Sequence, residues 1–469
     1  MDGVTWAEGP EHPRPRAAVA RPRVDSTPPA PPWAGRAVVG IAIAGALVVV
    51  GAPLGLGMTL TLLAFGTVAA AVRRPAAVPE EDLRRRREPT RADRWRSVWW
   101  VLAAALAVVP TLRAATWVVV PCVLVALALA SLGAGGGRSW GELSSGLAAV
   151  WARLPLGAVL ATRVAGSVNG RGAALRGGLL AAGLLLVFVP LLMSADAAFA
   201  EVLQRVTPNL DMPVERALAA ALFAAGGGAL VYAGLAPLPP ATVAPPRRRL
   251  SRLEWGLPLG ALVVLLGAFV ALQLATLFGG DRHVLNTAGL TYAQYARSGF
   301  AQLLGVAALT LAVVAAAHRW APGARPLLAV LCLLTLVVLA SALKRLGLYE
   351  DAYGFTRLRF AAHATLLWLG AIFALVLVAR PAWLPRAALA ITGATVLLFA
   401  LADPDRRIAD HNVERWQRTG KIDVQYARGL SADATPALVS LLECAELPQD
   451  GDGFNLARRR AGRACEGRP

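Results

Sequence analysis

Long apolar runs recur along most of the chain and constrain its fold more than any other feature. A helix needs roughly 17–25 apolar residues to cross a bilayer. Because the hydrocarbon interior offers no partner for free backbone groups, each run is expected to be helical. The pattern predicts an all-α fold, a polytopic transmembrane helical bundle of about 11 spans with a small helical C-terminal tail. The runs lie at about 37–51, 55–72, 97–110, 114–132, 178–194, 215–235, 257–278, 298–317, 326–343, 361–379 and 386–402.

The composition agrees with this interpretation. Of the 469 residues, 56% are hydrophobic and 16% are charged, and the mean hydropathy of +0.54 is far from that of soluble domains. The formal net charge is +18, and such an excess can indicate nucleic-acid binding. Here the cations lie in short segments beside apolar runs, which is how topology is encoded in a bilayer. We therefore predict membrane lipid, and no nucleic acid, as a partner.

The polar segments divide the chain into four regions. Residues 1–35 are rich in Pro, Ala and Arg without apolar periodicity, which predicts a disordered cytoplasmic leader. The multi-span domain covers 36–402 and a short helical tail covers 403–447, while 448–469 are expected to be disordered. Within the tail, helical signals cover about 404–419, closed by Gly420, and about 433–444.

Lysine and arginine counts orient the bundle. With the N-terminus inside, the inner segments hold 27 of these residues and the outer loops hold 9. Because positive loops stay in the cytoplasm, this ratio predicts a cytoplasmic N-terminus and an extracytoplasmic tail, in the inner (plasma) membrane. The basic inner loop 73–96 is either an anchor near anionic lipid or a docking segment for an acidic partner. Helices over Glu142–Leu154, ended by Pro155, and within Ser194–Pro208 are predicted to lie along the two membrane surfaces.

One segment between apolar runs gathers most of the polar chemistry. It runs from Lys344 to His363 and is called the hub segment. Gly354 and Thr356 predict a bend followed by the N-cap of a helix. Cations lie on both sides of this bend, and two tyrosines precede it. The candidate ligand-binding residues of the hub segment are Arg345, Tyr349, Glu350, Asp351, Tyr353, Arg357, Arg359 and His363.

The hub arginines need a negative partner. Arg357 and Arg359 lie in the first turn of the predicted helix, where cations oppose the helix dipole. Their partner is either a neighbouring acid, Glu350 or Asp351, or the phosphate or carboxylate of a ligand. The sequence leaves both alternatives open.

Two further polar segments are expected to neighbour the hub segment. In the loop 281–300, Thr291 and Gln294 match a capping box, so a helix should begin next to them and continue into the following apolar run. The tail beyond Asp403 is balanced in charge and compatible with water. The candidate residues are Tyr292, Tyr295 and Arg297 in the loop, and the tail motif Asn412, Arg415, Asp423, Tyr426 and Asp433.

The sequence carries no signal for a metal or a cofactor. No histidine or cysteine pair has close ligand spacing, and there is no P-loop, zinc-protease or nucleophile-elbow motif. We predict no catalytic residue, no metal and no cofactor, and leave open whether the chain is an enzyme. Cys122 and Cys332 lie in apolar runs and are predicted to be small core residues. If the tail is exported, Cys444 and Cys465 are predicted to form a disulfide.

The polar segments resemble a known family. The stretches NTAGLTYAQYARSGFAQL, LYEDAYGFTRLRF and DPDRRIADHNVERWQRTGKIDVQYARGLSADATPAL follow one another in this order. Together they resemble the bacterial, mainly actinobacterial, membrane proteins of domain-of-unknown-function families 4173 and 4153, over about residues 95–445. The resemblance implies that the segments belong to one module. It transfers no activity and no catalytic residue.

Three functions fit these observations. The first is an uncharacterised multi-pass protein of the cell envelope that binds an anionic lipid-linked or glycan ligand at the outer face, because cations and tyrosines gather at one interface. The second is a secondary transporter, which would need ionisable groups near the midplane, where the spans offer only neutral polar residues. The third is a sensor or scaffold acting through a cytoplasmic partner of loop 73–96. The first is the favoured prediction.

Overall fold

All regular secondary structure in the described part of the chain is helical. The computed structural model describes residues 29–72, 91–169, 192, 201, 212–241, 250–278, 300–321, 323–379, 382–448 and 453–466. Up to residue 402 the helices are α1 (Pro32–Val49), α2 (Leu56–Ala71), α3 (Arg91–Leu112), α4 (Thr116–Gly135), α5 (Trp140–Ala152), α6 (Leu154–Asn169), α7 (Met212–Leu235), α8 (Arg252–Phe278), α9 (Phe300–Trp320), α10 (Arg325–Tyr353), α11 (Arg357–Val378) and α12 (Leu384–Leu401).

The chain beyond residue 402, which is called the tail from here on, adds four helices and a 3-10 turn. They are α13 (Pro404–Thr419), α14 (Val424–Arg428), α15 (Thr435–Leu438), the 3-10 turn Cys444–Glu446 and α16 (Leu456–Cys465).

Ten helical stretches among the described residues are long and apolar enough to cross a membrane. The predicted all-α polytopic bundle is therefore confirmed. Nine of the ten stretches match predicted runs, whereas Trp140–Val164, which passes through α5 and α6, was not predicted as a span. The predicted run over 55–72 is the shorter apolar helix α2, and the run over 178–194 lies outside the described residues apart from Leu192.

The helix predicted over Glu142–Leu154 is followed at once by another. α5 ends at Ala152, and α6 begins at Leu154 with Pro155 as its second residue. Proline lacks an N–H group but fits the first turn of a helix, which explains both the break and the immediate restart. The break is confirmed, and the position of α5 along a membrane surface stays a prediction.

Several predictions fall on residues outside the described ranges. They concern most of the leader, most of the basic loop 73–96, the surface helix within Ser194–Pro208, and the loop ahead of α9. That loop holds the candidate residues Tyr292, Tyr295 and Arg297.

The apolar helices pack around two large cores and a smaller one. α8 to α11 bury one core, with Leu331 and Phe373 fully enclosed. A second core joins α3, α4, α5, α7 and α12, and a third joins α1, α2, α6 and α7. α12 connects the halves, because Ala400 lies in the second core and Thr392 accepts a hydrogen bond from the Trp368 indole of α11 (3.0 Å).

The ends of the helices define two faces of the bundle. The turns at 50–55, 113–115 and 354–356 all contact the tail, which begins at Asp403, and we call their side the tail-side face. On the opposite face, Arg153 donates to the Ala236 carbonyl (2.7 Å). These contacts satisfy carbonyls that a helix C-terminus leaves without a partner.

The tail departs from prediction at two places. α13 ends at Gly420 as predicted, but the second helix, predicted over about 433–444, is only Thr435–Leu438. The Asp433 carboxylate does not cap this helix but accepts hydrogen bonds from backbone N–H groups at the start of α4. The expectation of disorder over 448–469 is wrong for α16, which is held by Asn455 and by a Cys444–Cys465 disulfide with a Cα–Cα distance of 5.7 Å. The predicted disulfide is confirmed.

Candidate functional site

The turn between α10 and α11 lies at the centre of the tail-side face. Gly354 has a φ of 81°, which favours glycine. The Thr356 hydroxyl accepts a hydrogen bond from the Arg359 backbone N–H (3.4 Å). The predicted bend and N-cap are therefore confirmed. A Cβ atom at Gly354 would lie 2.7 Å from Oδ1 of Asn412, so the turn also needs glycine for the close approach of the tail.

Two residues of α13 hold this turn. The Asn412 side chain accepts from the Phe355 N–H (2.8 Å) and donates to the Phe355 carbonyl (3.0 Å). Arg415 donates to the Ala352 carbonyl (2.8 Å). The tail therefore recognises the backbone of the hub segment, and its own motif residues supply the contacts.

Arg357 forms a two-point ion pair with Asp405. Its Nε lies 2.9 Å from Oδ1 and its Nη2 lies 2.7 Å from Oδ2 of the fully buried carboxylate. Paired guanidinium–carboxylate contacts of this kind are among the strongest hydrogen bonds in proteins. The partner of Arg357 is therefore an acid of the tail, and neither Glu350 nor Asp351.

Two more donors converge on Asp405. The Trp117 indole donates to Oδ1 (3.0 Å), and the Ser431 backbone N–H donates to Oδ2 (2.9 Å). Burial alone would raise the pKa of Asp405, but hydrogen bonds from Arg357 and Ser431 outweigh it and hold the pKa below its ordinary value. Asp405 is thus a stable anion that joins α4, α11 and the tail.

A second buried charge group lies at the turn between α3 and α4. Arg113 forms ion pairs with Asp403 and Asp433. Its remaining nitrogens donate to the carbonyls of Ala400 (2.8 Å) and Leu401 (2.9 Å), at the end of α12. These carbonyls have no partner within the helix. One arginine therefore donates hydrogen bonds to the end of α12 and forms ion pairs with two carboxylates.

Asp433 closes the start of α4. Its Oδ2 accepts from the backbone N–H groups of Ala114 (2.8 Å) and Ala115 (3.0 Å) and from the Ser431 hydroxyl (3.1 Å). An acidic side chain at a helix N-terminus satisfies free donors and complements the helix dipole. Asp433 therefore acts as a cap supplied from more than 300 residues further along the chain.

The two acids around Arg113 hold protons more tightly than Asp405 does. Burial, and then the charge of Asp433, raise the pKa of Asp403 from 3.8 to about 6, although Arg113 lowers it. Burial likewise raises the pKa of Asp433 despite the hydrogen bonds from the α4 backbone. Two carboxylates compete for one arginine, and this competition disfavours full ionisation.

Asn455 ties α16 to the same face. Its fully buried side-chain amide lies within hydrogen-bond distance of the carbonyls of Leu54 (3.3 Å), Pro110 (2.9 Å) and Arg113 (2.9 Å). Its Oδ1 caps α16 by accepting from the Arg458 N–H (3.1 Å). A single asparagine therefore joins the turns after α1 and α3 to the C-terminal helix.

The aromatic part of the hub segment forms a platform under a cation. The Tyr349 and Tyr353 rings are in contact, with centroids 4.9 Å apart and ring planes tilted by 55°. The Arg359 guanidinium lies 4.1 Å from the Tyr349 ring centroid and donates to the Gly354 carbonyl. Within the described ranges, no carboxylate lies within ion-pair distance of Arg359. Arg345 is partly exposed and Asp351 is exposed on the same helix.

Glu350 and His363 form a contact beneath this platform. Oε1 of the buried Glu350 lies 3.2 Å from Nδ1 of His363. The Glu350 side chain is 2% exposed, whereas that of His363 is 31% exposed. This pair joins α10 to α11. Glu350 therefore contacts His363 and is not the ion-pair partner of Arg357.

Most of the predicted site residues meet at the tail-side face. Tyr426 accepts a hydrogen bond from the Arg357 backbone N–H (2.7 Å), and Asp423 caps α14 by accepting from the Tyr426 N–H (2.9 Å). The candidates Tyr292, Tyr295 and Arg297 lie outside the described residues.

Four residues of this face were missed by the sequence reasoning: Arg113, Asp403, Asp405 and Asn455. Arg113 stands between two apolar runs, and the two acids follow directly on the last run. Their position at the ends of predicted spans is the signal that could have identified the first three. Nothing comparable distinguishes Asn455.

The fold and the capped face define the class of protein. Apolar helices of spanning length, with polar groups satisfied at their ends, make the chain a multi-pass α-helical membrane protein.

Comparison with known families agrees with this class. A family model described as Domain of unknown function (DUF4153) matches residues 100–441, which is more than half of the chain. The chain belongs to this family. The resemblance to family 4153 is thereby confirmed, and the resemblance to family 4173 stays a prediction. No curated protein and no solved structure matches the chain.

Proposed function

We propose that the protein binds an anionic lipid-linked or glycan ligand at the tail-side face, and that this face is extracytoplasmic in the inner (plasma) membrane. The observation that carries the proposal is the Arg359 guanidinium, which lies over the Tyr349 ring without a carboxylate partner among the described residues. The secondary-transporter and scaffold hypotheses stay predictions, since no described contact favours either.

The length of α10 supports the position of this site. α10 has 29 residues and is therefore about 43 Å long, which exceeds the roughly 30 Å of a hydrocarbon core. Its last turns, with Tyr349 and Tyr353, reach the level of the lipid headgroups. The phosphate of a lipid-linked ligand lies at this level.

The charges around the turn favour Arg359 over Arg357 as the ligand-binding cation. Arg357 is already neutralised by Asp405. Arg359 is partly exposed, and the exposed Lys344 adds a second positive charge on α10. Guanidinium groups bind phosphate and carboxylate through charge-assisted hydrogen bonds. The neighbouring tyrosine rings offer flat faces against which a sugar ring can pack.

Binding can be tested with a polyprenyl phosphate in nanodiscs, with the uncharged polyprenol as the comparison. Arg359→Gln is expected to weaken polyprenyl phosphate binding by roughly tenfold, the loss of one hydrogen bond to a charged group. Arg418→Gln, at an exposed arginine of α13, is the matched control and should leave affinity unchanged. Equal affinity of Arg359→Gln and wild type, or equal binding of the uncharged polyprenol, would contradict the proposal.

The disulfide supports an extracytoplasmic tail. Structural disulfides form in oxidising compartments, and Cys444 is bonded to Cys465. Sidedness can be measured in intact cells with an impermeant thiol reagent at Tyr353→Cys, Ser440→Cys and Glu81→Cys. The first two positions are exposed on the tail-side face and should react. Position 81, in the basic loop, should react only after lysis. The reverse pattern would refute the orientation.

A further inference from the structure

The C-terminal helix α16 carries a concentrated positive charge. It contains Arg458, Arg459, Arg460 and Arg463 within 10 residues and no acidic residue. Its two buried residues, Ala457 and Ala461, are one helical turn apart and face the protein. Arg459, Arg460 and Arg463 are exposed. The side of the helix that faces the protein therefore carries small apolar residues, and the exposed side carries arginines.

The start of α16 is attached to the turn between the first two membrane helices. The Leu56 N–H donates to the Phe454 carbonyl (2.9 Å), and the Asn455 amide donates to the Leu54 carbonyl (3.3 Å). An added Cβ at Gly55 would lie 2.5 Å from the Phe454 carbonyl oxygen. The backbone of residues 453–455 thus rests directly on this turn.

The lengths of α1 and α2 fix the depth of this turn. α1 has 18 residues and α2 has 16, so they are about 27 Å and 24 Å long. Neither exceeds the roughly 30 Å of a hydrocarbon core. The turn that joins them therefore does not extend beyond the lipid headgroups into water. Because α16 begins on this turn, it begins at the level of the headgroups.

The first two membrane helices expose apolar side chains near this turn. Leu47 of α1 and Leu60 of α2 are 55% and 56% exposed, as expected of side chains that face acyl chains. Phe454, whose carbonyl accepts from the Leu56 N–H, is 37% exposed, and the Arg459 guanidinium lies 4.3 Å from its ring centroid. An aromatic ring next to arginine at the membrane boundary is typical of interfacial anchoring.

The described acids near α16 do not pair with its three exposed arginines, Arg459, Arg460 and Arg463. Glu446 pairs with Arg428 (2.7 Å), and Glu466 is exposed beyond the last turn. Arg459, Arg460 and Arg463 form no ion pair within the described ranges.

We propose that α16 is a membrane-surface anchor that binds the phosphate headgroups of anionic phospholipids in the tail-side leaflet through Arg459, Arg460 and Arg463. The anchor is separate from the ligand site at Arg359 and stands without it. Cationic side chains on an amphipathic helix at the interface bind anionic lipid by electrostatic attraction. The disulfide to Cys444 fixes the far end of the helix, so that the arginines stay at the surface.

The test uses the full-length protein in phosphatidylcholine nanodiscs doped with phosphatidylglycerol, with protein-bound phosphatidylglycerol quantified by native mass spectrometry. The triple variant R459Q/R460Q/R463Q should retain roughly tenfold less phosphatidylglycerol than wild type. R406Q/R407Q/R418Q removes the same number of exposed arginines from α13 and should retain as much as wild type. An intact disulfide on a non-reducing gel shows that α16 is still docked in each variant.

Two outcomes would overturn the anchor: equal retention by the α16 variant and wild type, or an equal loss in the α13 variant. Displacement of the lipid by soluble inorganic phosphate would also contradict it, because the site would then bind a free anion. Arg359→Gln should leave phosphatidylglycerol retention unchanged, so failure of the anchor and failure of the ligand site give different results.

Discussion

The two buried charge groups of the tail-side face differ in their ratio of acids to arginines. At Arg357 one arginine faces one carboxylate, Asp405, and the pKa of that carboxyl lies below its ordinary value. At Arg113 one arginine faces Asp403 and Asp433, and the pKa values of both carboxyls are raised. The carboxylate of the first group therefore stays ionised to lower pH than an ordinary aspartate, whereas the raised pKa values of the second group favour protonation.

The hydrogen bonds explain this difference. Both Asp405 oxygens accept from donors on Arg357, Trp117 and Ser431. In contrast, Oδ1 of Asp403 and Oδ1 of Asp433 have no hydrogen-bond partner in the part of the chain that the structure describes. A buried charge without full hydrogen bonding is costly, and protonation relieves that cost.

The largest effect on the stability of the docked tail is expected at the ion pair between Arg357 and Asp405. Asp405→Ala leaves Arg357 half-buried without its anion and removes the acceptor of Trp117 and Ser431. We expect a loss of about 3–5 kcal/mol in the stability of the docked tail, measured by hydrogen exchange over 404–447. Asp410→Ala removes only the exposed pair with Arg406 and should cost less than about 1 kcal/mol. Equal losses in the two variants would break the distinction between a buried and a surface pair.

An intermediate effect is expected from pH at the Arg113 group. The pKa of Asp403 is about 6 in the folded protein against 3.8 unfolded, so the folded state binds the proton more tightly. Its contribution to stability is therefore full below pH 3.8 and is lost as the pH rises through about 6. The pKa of Asp405 is lowered, so its contribution is present above about pH 4 and is lost on acidification through the folded pKa.

Tail stability in the wild type should therefore fall by up to about 3 kcal/mol between pH 4 and pH 7, at 1.36 kcal/mol per pKa unit. Asp403→Asn should reduce this fall, because the amide cannot ionise. Hydrogen exchange over 404–447, corrected for the intrinsic exchange rate at each pH, measures it. A wild-type stability that rises with pH over this range would mean that Arg113 neutralises both acids.

The smallest effect is expected at Tyr426. Its hydroxyl accepts the Arg357 N–H, and burial raises the pKa of this tyrosine despite that hydrogen bond and the Arg357 charge. Tyr426→Phe removes one acceptor and leaves the ion pair with Asp405 in place. The expected loss in tail stability is about 1 kcal/mol. A loss as large as that of Asp405→Ala would place the tyrosine, and not the carboxylate, at the centre of the Arg357 group.

The features that the sequence predicted correctly are local. Apolar runs specify helices because lipid leaves no alternative. Gly354, Thr356 and Gly420 act within one turn of their own position, so the bend, the N-cap and the end of α13 could all be predicted. The disulfide was predicted because the tail holds only two cysteines.

The contacts that the sequence could not predict join distant residues. Arg357 has two acids within seven positions, yet its partner Asp405 is 48 positions away. Asp433 and Asn455 satisfy backbone groups of turns more than 300 positions earlier, and such contacts need only one polar side chain at the right place. The position of Arg113, Asp403 and Asp405 at the ends of apolar runs could have marked them as candidates, but no pattern in the sequence shows which of these single residues contact each other.

The most direct test of the charge-based docking of the tail is a double-mutant cycle between Arg357→Gln and Asp405→Asn, read as tail stability by hydrogen exchange. We predict a coupling energy of at least about 2 kcal/mol for this pair. The parallel cycle between Arg357→Gln and Asp410→Asn, whose carboxylate forms an exposed ion pair with Arg406, should be additive within about 0.5 kcal/mol. Additivity in the first cycle would contradict the account, because it would show that Arg357 and Asp405 do not hold the tail on the membrane bundle.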